Sequence, residues 1–459
     1  MKIINENLEA VLDYDYFCEL FDSRNFTEIR KVAEELPPPD LAEFFSRLTE
    51  RQSAVLFRLL SKEQASKTFV EMDSEVRRNL VEGFSDVELK DVMEELYVDD
   101  TVDVLEEMPA GVVKRMVRAS TPETRDQINH ILKYDKDSAG AIMTTEYVRL
   151  GPDFTVGESL ARIRKVGVDK ETVYTCYVTD GERKLLGVVT ARSLLLNDPK
   201  TPIRGIMEDK LICARTCDGK DEVAMLFDKY GLIALPVVDS EGRLVGIVTV
   251  DDAMDVIREQ TEEDFARIAG MTPTERSYVS TSAVSLFLSR VPWLLLLMIS
   301  ATFSSTILNR FEALLPMVLI LFVPMLMDTG GNAGGQASVT VIRSLSLGEL
   351  AFRDSLRVLF KEMRVGILCG ISLGVVAFGK VMLIDRLLMA NDDVTVFVAL
   401  AVSLALSMTV IVSKLIGSSL PLLAKRIGLD PAVMASPFIT TIVDVLSLVM
   451  YFFIADSLL

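Results

Sequence analysis

TCYVTDGERKLLGVVTARSLL at 175–195 returns 59 residues later as ALPVVDSEGRLVGIVTVDDAM at 234–254. Each copy reads as a strand, a polar turn (Asp180-Gly181, then Glu241-Gly242), a second strand and a helix. A helical pattern precedes each copy, VGESLARIRKV and then DEVAMLFDKYG. The repeat marks residues 136–258 as a duplicated α/β unit, and the chain differs sharply on its two sides. The whole sequence holds 48 Lys+Arg and 66 Asp+Glu. Only twelve of the former and eleven of the latter lie beyond residue 285, so the first 285 residues carry a net charge of −19 and the rest +1. An acidic surface repels phosphate, which excludes nucleic acid as a partner and favours cations.

Upstream, residues 1–135 read as short helices. Apolar residues recur at three-to-four spacing in LAEFFSRLTERQSAVLFRLL and VEGFSDVELKDVMEELYVDDTVDVLEEM. Helix starts are expected near Asp40, Ser61, Ser85 and Thr121-Pro122. The pattern predicts a stacked helix-turn-helix array forming a superhelical domain. The five cysteines (Cys18, Cys176, Cys213, Cys217, Cys369) lack metal-finger spacing, and the lone His130 has no neighbouring ligand type, so zinc sites and disulfide frameworks find no support. The N-terminus lacks the apolar run of a cleavable leader, so membrane entry is expected to rest on later segments.

Downstream, 259–285 reads as an acidic connecting helix and polar linker, and 286–459 as an all-α membrane domain. Five spans fit, at about 286–308, 313–342, 364–384, 394–417 and 432–456. The second, interrupted by Pro316, Pro324 and a glycine cluster, is expected to be kinked or partly unwound. Arg343, Arg353, Arg357, Lys361, Arg364, Lys414, Lys425 and Arg426 fall on the side shared with the acidic half, which places that half in the cytoplasm.

Two features carry chemistry. Asp444 lies twelve residues into the fifth span, about 18 Å at the helical rise. A carboxylate at that depth costs on the order of 2.5–3.5 kcal/mol unless water or a partner receives it. Ser436, Pro437, Thr440, Thr441, Ser447 and Leu448 share its helical face. Either the stripe lines an ion path or it bonds helices together. The second feature is DTGGNAGGQ at 328–336, a poor helix interior. It either exposes backbone carbonyls to a water-filled path or lets helices pack closely. Mg²⁺ suits a sparse site of this kind, because it is held by one or two carboxylates and keeps several waters.

The quoted repeat, through G-[IV]-V-T-x-x-[DS] at 187–193 and 246–252, resembles a pair of CBS domains. Such pairs often bind adenine nucleotides, which makes ATP a candidate ligand there. PMLMDTGGNAGGQAS (324–338), KEMRVG (361–366) and DPAVMASPFITTIVD (430–444) resemble the MgtE family of magnesium channels and transporters, as do YDKDSAGAIMTT (134–145), TVDDAMDVI (249–257) and TEED (261–264). The resemblance implies a multi-pass homodimer in the cell membrane with cytoplasmic N-terminal domains. Its ion would be Mg²⁺, with Asp444 as the pore ligand and Gly330, Gly331, Asn332, Gly334, Gln336, Ser436, Thr440 and Thr441 along the path. Asp99, Asp100, Asp103, Asp252, Asp255, Glu263 and Asp264 would bind Mg²⁺ and close the pore. Gln260, Ser447 and Ser193 depart from the family pattern, and Asp328 adds a carboxylate. A proton- or sodium-coupled carrier remains an alternative within transport. A CBS-gated anion channel is disfavoured by the acidic stripe, and no nucleophile–base pair or phosphate loop supports an enzyme.

Overall fold

The computed structural model describes residues 14–274, 278, 281–312, 316–434 and 436–459; the side chain of Ser436 lies outside the described residues. It forms two compact units, Met1–Arg258 and Glu259–Leu459.

The first unit opens with α1 (Tyr14–Asp22), followed by nine ten-residue helices that begin every twelve residues: α2 (Phe26–Glu35), α3 (Pro38–Arg47), α4 (Glu50–Leu59), α5 (Lys62–Glu71), α6 (Ser74–Gly83), α7 (Asp86–Glu95), α8 (Val98–Glu107), α9 (Ala110–Ala119) and α10 (Pro122–Ile131). An extended apolar residue closes most repeats, at Leu36, Leu48, Leu60, Met72, Phe84, Leu96 and Met108. Ten helical residues and two extended ones reset the chain direction at each step, so each helix packs mainly on the next but one. Ser61, Ser85 and Thr121 accept a hydrogen bond from the backbone N–H three residues on, as helix caps do. Near Asp40 the helix instead starts at Pro38, and Asp40 falls in its first turn. Phe57 lies at the centre, with its ring 4.9 Å from Phe84, 6.1 Å from Phe69 and 6.3 Å from Phe45.

Two three-stranded sheets follow. β1 (Tyr147–Leu150), β2 (Thr172–Thr179) and β3 (Leu185–Thr190) form one; β4 (Ala214–Arg215), β5 (Ala234–Val238) and β6 (Leu244–Thr249) form the other. In both, the first pair is parallel and the second antiparallel. Val178 opposite Gly187 recurs as Val237 opposite Gly246, with the 59-residue offset intact. The turns correspond through Asp180 and Asp239, each of which accepts two backbone N–H bonds. This alignment corrects the Asp-Gly and Glu-Gly pairing read from sequence. The positive-φ position is Arg183 (68°) in the first copy and Gly242 (78°) in the second, a conformation that costs least for glycine. Three helices flank the strands: α11 (Val156–Val166), α12 (Ala191–Leu196) and α13 (Lys220–Tyr230). The copies exchange edges: Thr144 bridges Ile247, and Glu208 bridges Val188. That exchange closes a shared core of Tyr177, Ala234, Leu244 and Ile247.

Helix α14 (Val250–Ile268) leaves the second sheet. The second unit then holds α15 (Ala283–Glu312), α16 (Met317–Ile320), α17 (Val323–Ser346), α18 (Ser355–Lys380, continuing as a π-helix over Val381–Leu388), α19 (Val396–Arg426) and α20 (Ser436–Leu458). Among the described residues, five segments are long and apolar enough to span a membrane: Ala283–Arg310, Met317–Ser346, Phe352–Leu388, Val396–Arg426 and Phe438–Leu458. The second span breaks at Leu321–Phe322, ahead of the glycine cluster, which is helical throughout. The expected kink or partial unwinding of this span thus falls at Leu321–Phe322 and not in the glycine cluster. Each glycine costs about 1 kcal/mol of helix propensity, but here glycines let neighbouring backbones meet. A Cβ on Gly417 of α19 would stand 2.1 Å from the carbonyl oxygen of Gly334. Gly366, Gly370 and Gly374 do the same service between α18 and α19, where Ser407 Oγ donates to the Gly370 carbonyl at 2.8 Å.

Candidate cation sites

In the first unit, α8 begins at Val98 and places Asp99 and Asp100 in its first turn. Asp99 is buried, 6% exposed, and its Oδ1 has no hydrogen-bond partner. Asp252, in the first turn of α14, accepts a hydrogen bond from the Thr249 hydroxyl. Loss of hydration comes first in raising these carboxyls, and like charge comes second. Asp99 is pushed well above the usual carboxylate range by burial first and by the like charge of Asp252 next. Asp100 rises to about 6 through burial and the charge of Asp251. Asp103 is exposed at its tip, yet desolvation by its crowded surroundings and the charge of Asp100 push it up to about 7. Asp252 rises to about 7 through burial, which outweighs the Thr249 bond. Arg77 counters Asp100 and Asp103 only weakly, because its guanidinium is held by both carboxylate oxygens of Glu107.

Asp99, Asp100, Asp103 and Asp252 thus share one electrostatic cluster. Asp255 stands outside it, exposed and paired with Arg258 at 3.0 Å. Glu146 and Glu171 belong to the cluster but escaped the sequence reading. Burial and Asp100 push Glu171 up to about 8. No local pattern flags either glutamate, because two separate loops deliver them.

In the second unit, the distal part of α14 carries Glu263, which pairs with Arg267 at 2.7 Å. Arg267 also pairs with Asp430, ahead of α20. Asp264 accepts a hydrogen bond from Ser346 Oγ at 2.9 Å, and burial raises it above the ordinary range. Glu263 and Asp264 therefore sit on one carboxylate-rich end of the helix bundle with Asp430, which the sequence reading did not single out.

Within the bundle, α17 divides its residues by face. Gly330, Gly331 and Gly334 are buried against α19 and α20: Cβ atoms there would meet Thr409 at 2.7 Å, Thr440 at 3.2 Å and Ile439 at 2.8 Å. Within the single chain these glycines pack helices. The exposed face carries Asp328, Asn332 and Gln336 at four-residue spacing. Asp444 on α20 is half-buried, and the charge of Asp328 acts on it. The polar face expected around Asp444 is split. Thr441 Oγ1 donates to Ser300 Oγ of α15 at 2.9 Å, Thr440 packs on Gly331, and Ser447 and Leu448 are buried. Ser447 Oγ lies 3.1 Å from where a Gly330 Cβ would stand, so the departure at Ser447 is met by a glycine opposite.

Comparison with known proteins matches residues 323–454 to MgtE, described as a divalent cation transporter. Residues 36–137 match the MgtE intracellular N domain, and 139–199 and 203–259 match CBS domains. The chain is 36% identical over 437 residues to the magnesium transporter MgtE of Thermus thermophilus, covering 94% of this chain and 95% of that protein. It is 28% identical to the Bacillus subtilis magnesium transporter MgtE, covering 94% of each. Among solved structures, the cytosolic domain of the Mg²⁺ channel MgtE in complex with ATP is 35% identical with a TM-score of 0.51, covering 53% of this chain and 100% of that one.

Proposed function

The chain belongs to the MgtE family of divalent cation transporters, multi-pass membrane proteins and not enzymes, and on that premise we propose that it conducts Mg²⁺ through a homodimeric pore closed by Mg²⁺ bound to its cytosolic domains. The observation that carries this reading is the exposed stripe of Asp328, Asn332 and Gln336 beside Asp444, on helices otherwise fit for lipid. A polar stripe facing hydrocarbon is costly, so it faces water or a second chain. Amide and carboxylate oxygens spaced one turn apart suit an ion that keeps most of its hydration shell and is steered through water. Two copies of Asp444 about a twofold axis supply the charge that attracts it.

The clustered carboxylates of the cytosolic unit supply the gate. Bare, they repel one another and resist dehydration; Mg²⁺ removes both penalties. The arrangement that holds them together gains the difference in binding energy. Driving a pore from 1:99 to 99:1 takes roughly 5.5 kcal/mol, within reach of several weak sites acting together. The ATP complex of the related cytosolic domain makes adenine nucleotide a modulator to test on this CBS pair.

The test is Mg²⁺ flux into proteoliposomes, with Mg²⁺ varied on the side of the cytosolic domains. We expect flux that vanishes in Asp444→Ala, with unchanged gel-filtration behaviour, and that falls as cytosolic-side Mg²⁺ rises. Flux that survives Asp444→Ala would overturn the pore assignment. Flux that collapses when a proton or sodium gradient is dissipated would replace the channel with a coupled carrier.

A further inference from the structure

We propose that the outward face of α18 holds an anionic phospholipid, its phosphate on Arg357, Lys361 and Arg364 and its acyl chains along Leu368, Ile371 and Val375. These six residues follow one another at alternating four- and three-residue steps, which keeps them in one stripe along an α-helix. Arg357, Lys361 and Arg364 are exposed, the first 87% at its side chain. Leu368, Ile371 and Val375 are 69%, 59% and 70% exposed. Three cations thus give way to three aliphatic side chains, the order of a lipid read from headgroup to tail. The exposed ring of Phe360 stands beside the cations, as aromatic side chains do at a membrane interface.

The fold fills the opposite face and leaves this one open. Val358, Gly366, Gly370, Gly374 and Ala377 are buried, and the three glycines close on α19. Glu362, the one acid between Ser355 and Lys380, is half-buried and falls on the far side from the stripe by helical spacing. Among the described residues, Lys361 and Arg364 have no acidic partner. Arg357 reaches Asp354 only at 3.9 Å and shares it with Arg353 at 4.0 Å. The guanidinium of Arg426 lies 4.6 Å from the ring of Phe352, which brings another cation to the same end of the helix.

Depth agrees with this assignment. The span Phe352–Leu388 has 37 residues, about 55 Å at the helical rise against about 30 Å of hydrocarbon. Its basic end therefore leaves the hydrocarbon on the cytoplasmic side. Arg364, about 10 Å deeper than Arg357 along the helix, reaches back toward the phosphates on its long stem. A general excess of cations at cytoplasmic ends sets how many stand there; it does not gather them on one face above an apolar stripe. A second copy of the chain is a poor occupant, because a twofold contact through this face sets the patch against itself, and the patch is three like charges. Guanidinium and ammonium groups suit phosphate oxygens, and each one near an anionic leaflet adds to the attraction.

The experiment is electron paramagnetic resonance of the full-length protein in phosphatidylcholine bilayers carrying a trace of spin-labelled phosphatidylglycerol or spin-labelled phosphatidylcholine. The readout is the fraction of labelled lipid immobilised by the protein, so it needs no transport. The wild type should prefer phosphatidylglycerol at least about threefold at low salt, with the preference shrinking as salt rises. The combined variant Arg357→Gln, Lys361→Gln, Arg364→Gln should lose most of that preference while running as the wild type on gel filtration. Arg357→Lys with Arg364→Lys should keep it, as should Arg290→Gln with Arg343→Gln, which removes two exposed cations from other helices. A preference that survives the triple variant, or that falls as far in the Arg290 and Arg343 variant, overturns the proposal. Inorganic phosphate at matched ionic strength should not displace the labelled lipid; displacement would make this a site for the free anion and overturn the lipid assignment. A benzophenone photo-crosslinker in place of Phe360 should capture phosphatidylglycerol, and capture of a second protein chain instead would make the face a subunit contact and overturn it.

Discussion

Asp252 keeps a hydrogen bond from Thr249, yet burial still pushes it up to about 7, and Glu171 stands at about 8. An acid raised in the folded state contributes stability that is fully present below its unfolded value near 4 and is lost as pH climbs through the folded value. With Asp100 at about 6 and Asp103 at about 7, the cytosolic unit in EDTA should lose thermal stability as pH rises from about 5 to about 8. Mg²⁺ should flatten that slope, and Asp252→Asn should reduce it in EDTA; differential scanning calorimetry reads all three. In the membrane unit, Asp328 acts on Asp444 through charge and lies on the exposed stripe. We expect Asp328→Asn to lower flux on the order of tenfold, as loss of local cation attraction does, with no change in assembly. The sequence flagged Asp444 because a lone charge inside an apolar span is conspicuous. It left Asp328 undecided, since its face on α17 depends on what that helix packs against.

The glycine cluster is where element-scale physics overrode local propensity. Gly334 and Gly417 meet backbone to backbone, whereas Gly335 has open space where its Cβ would stand. Gly417→Val should prevent α17 and α19 from closing, costing more than the about 1–3 kcal/mol of ordinary overpacking, and should show as loss of monodisperse protein in detergent. Gly335→Ala, one residue from Gly334, should leave folding intact. In the helical array, Phe57→Ala removes the ring that joins Phe45, Phe69 and Phe84. A loss of about 3–5 kcal/mol is expected from chemical denaturation. The twelve-residue period of that array was present in the sequence all along, through Leu36, Leu48, Leu60, Met72, Phe84, Leu96 and Met108. A search for helical periodicity alone passes over it, because the marker residues stand outside the helices.

At the scale of the whole molecule, the proposed gating would require the charge state of the cytosolic unit to change the state of the membrane unit, and α14 carries acidic residues in both units. We expect the double variant Asp252→Asn, Asp255→Asn to keep conducting at cytosolic-side Mg²⁺ levels that shut the wild type. Since Asp255 is exposed and paired with Arg258, Asp252→Asn alone should reproduce most of that effect in the same flux assay. The order of parts was legible in the chain itself: the charge asymmetry, the 59-residue repeat and the apolar spans each arise from neighbours in sequence, whose periodicity and composition need no folding to be read. The carboxylate cluster was legible only in part. Asp99, Asp100, Asp103 and Asp252 were reached through family resemblance, while Glu146 and Glu171 carry no local signal. Tertiary structure alone decided that two parallel strands start side by side under the first turn of α8, and that α17 spends its glycines on packing and turns Asn332 and Gln336 outward. Both outcomes depend on which surfaces meet, and burial of a charge or a glycine is a property of its neighbours in space.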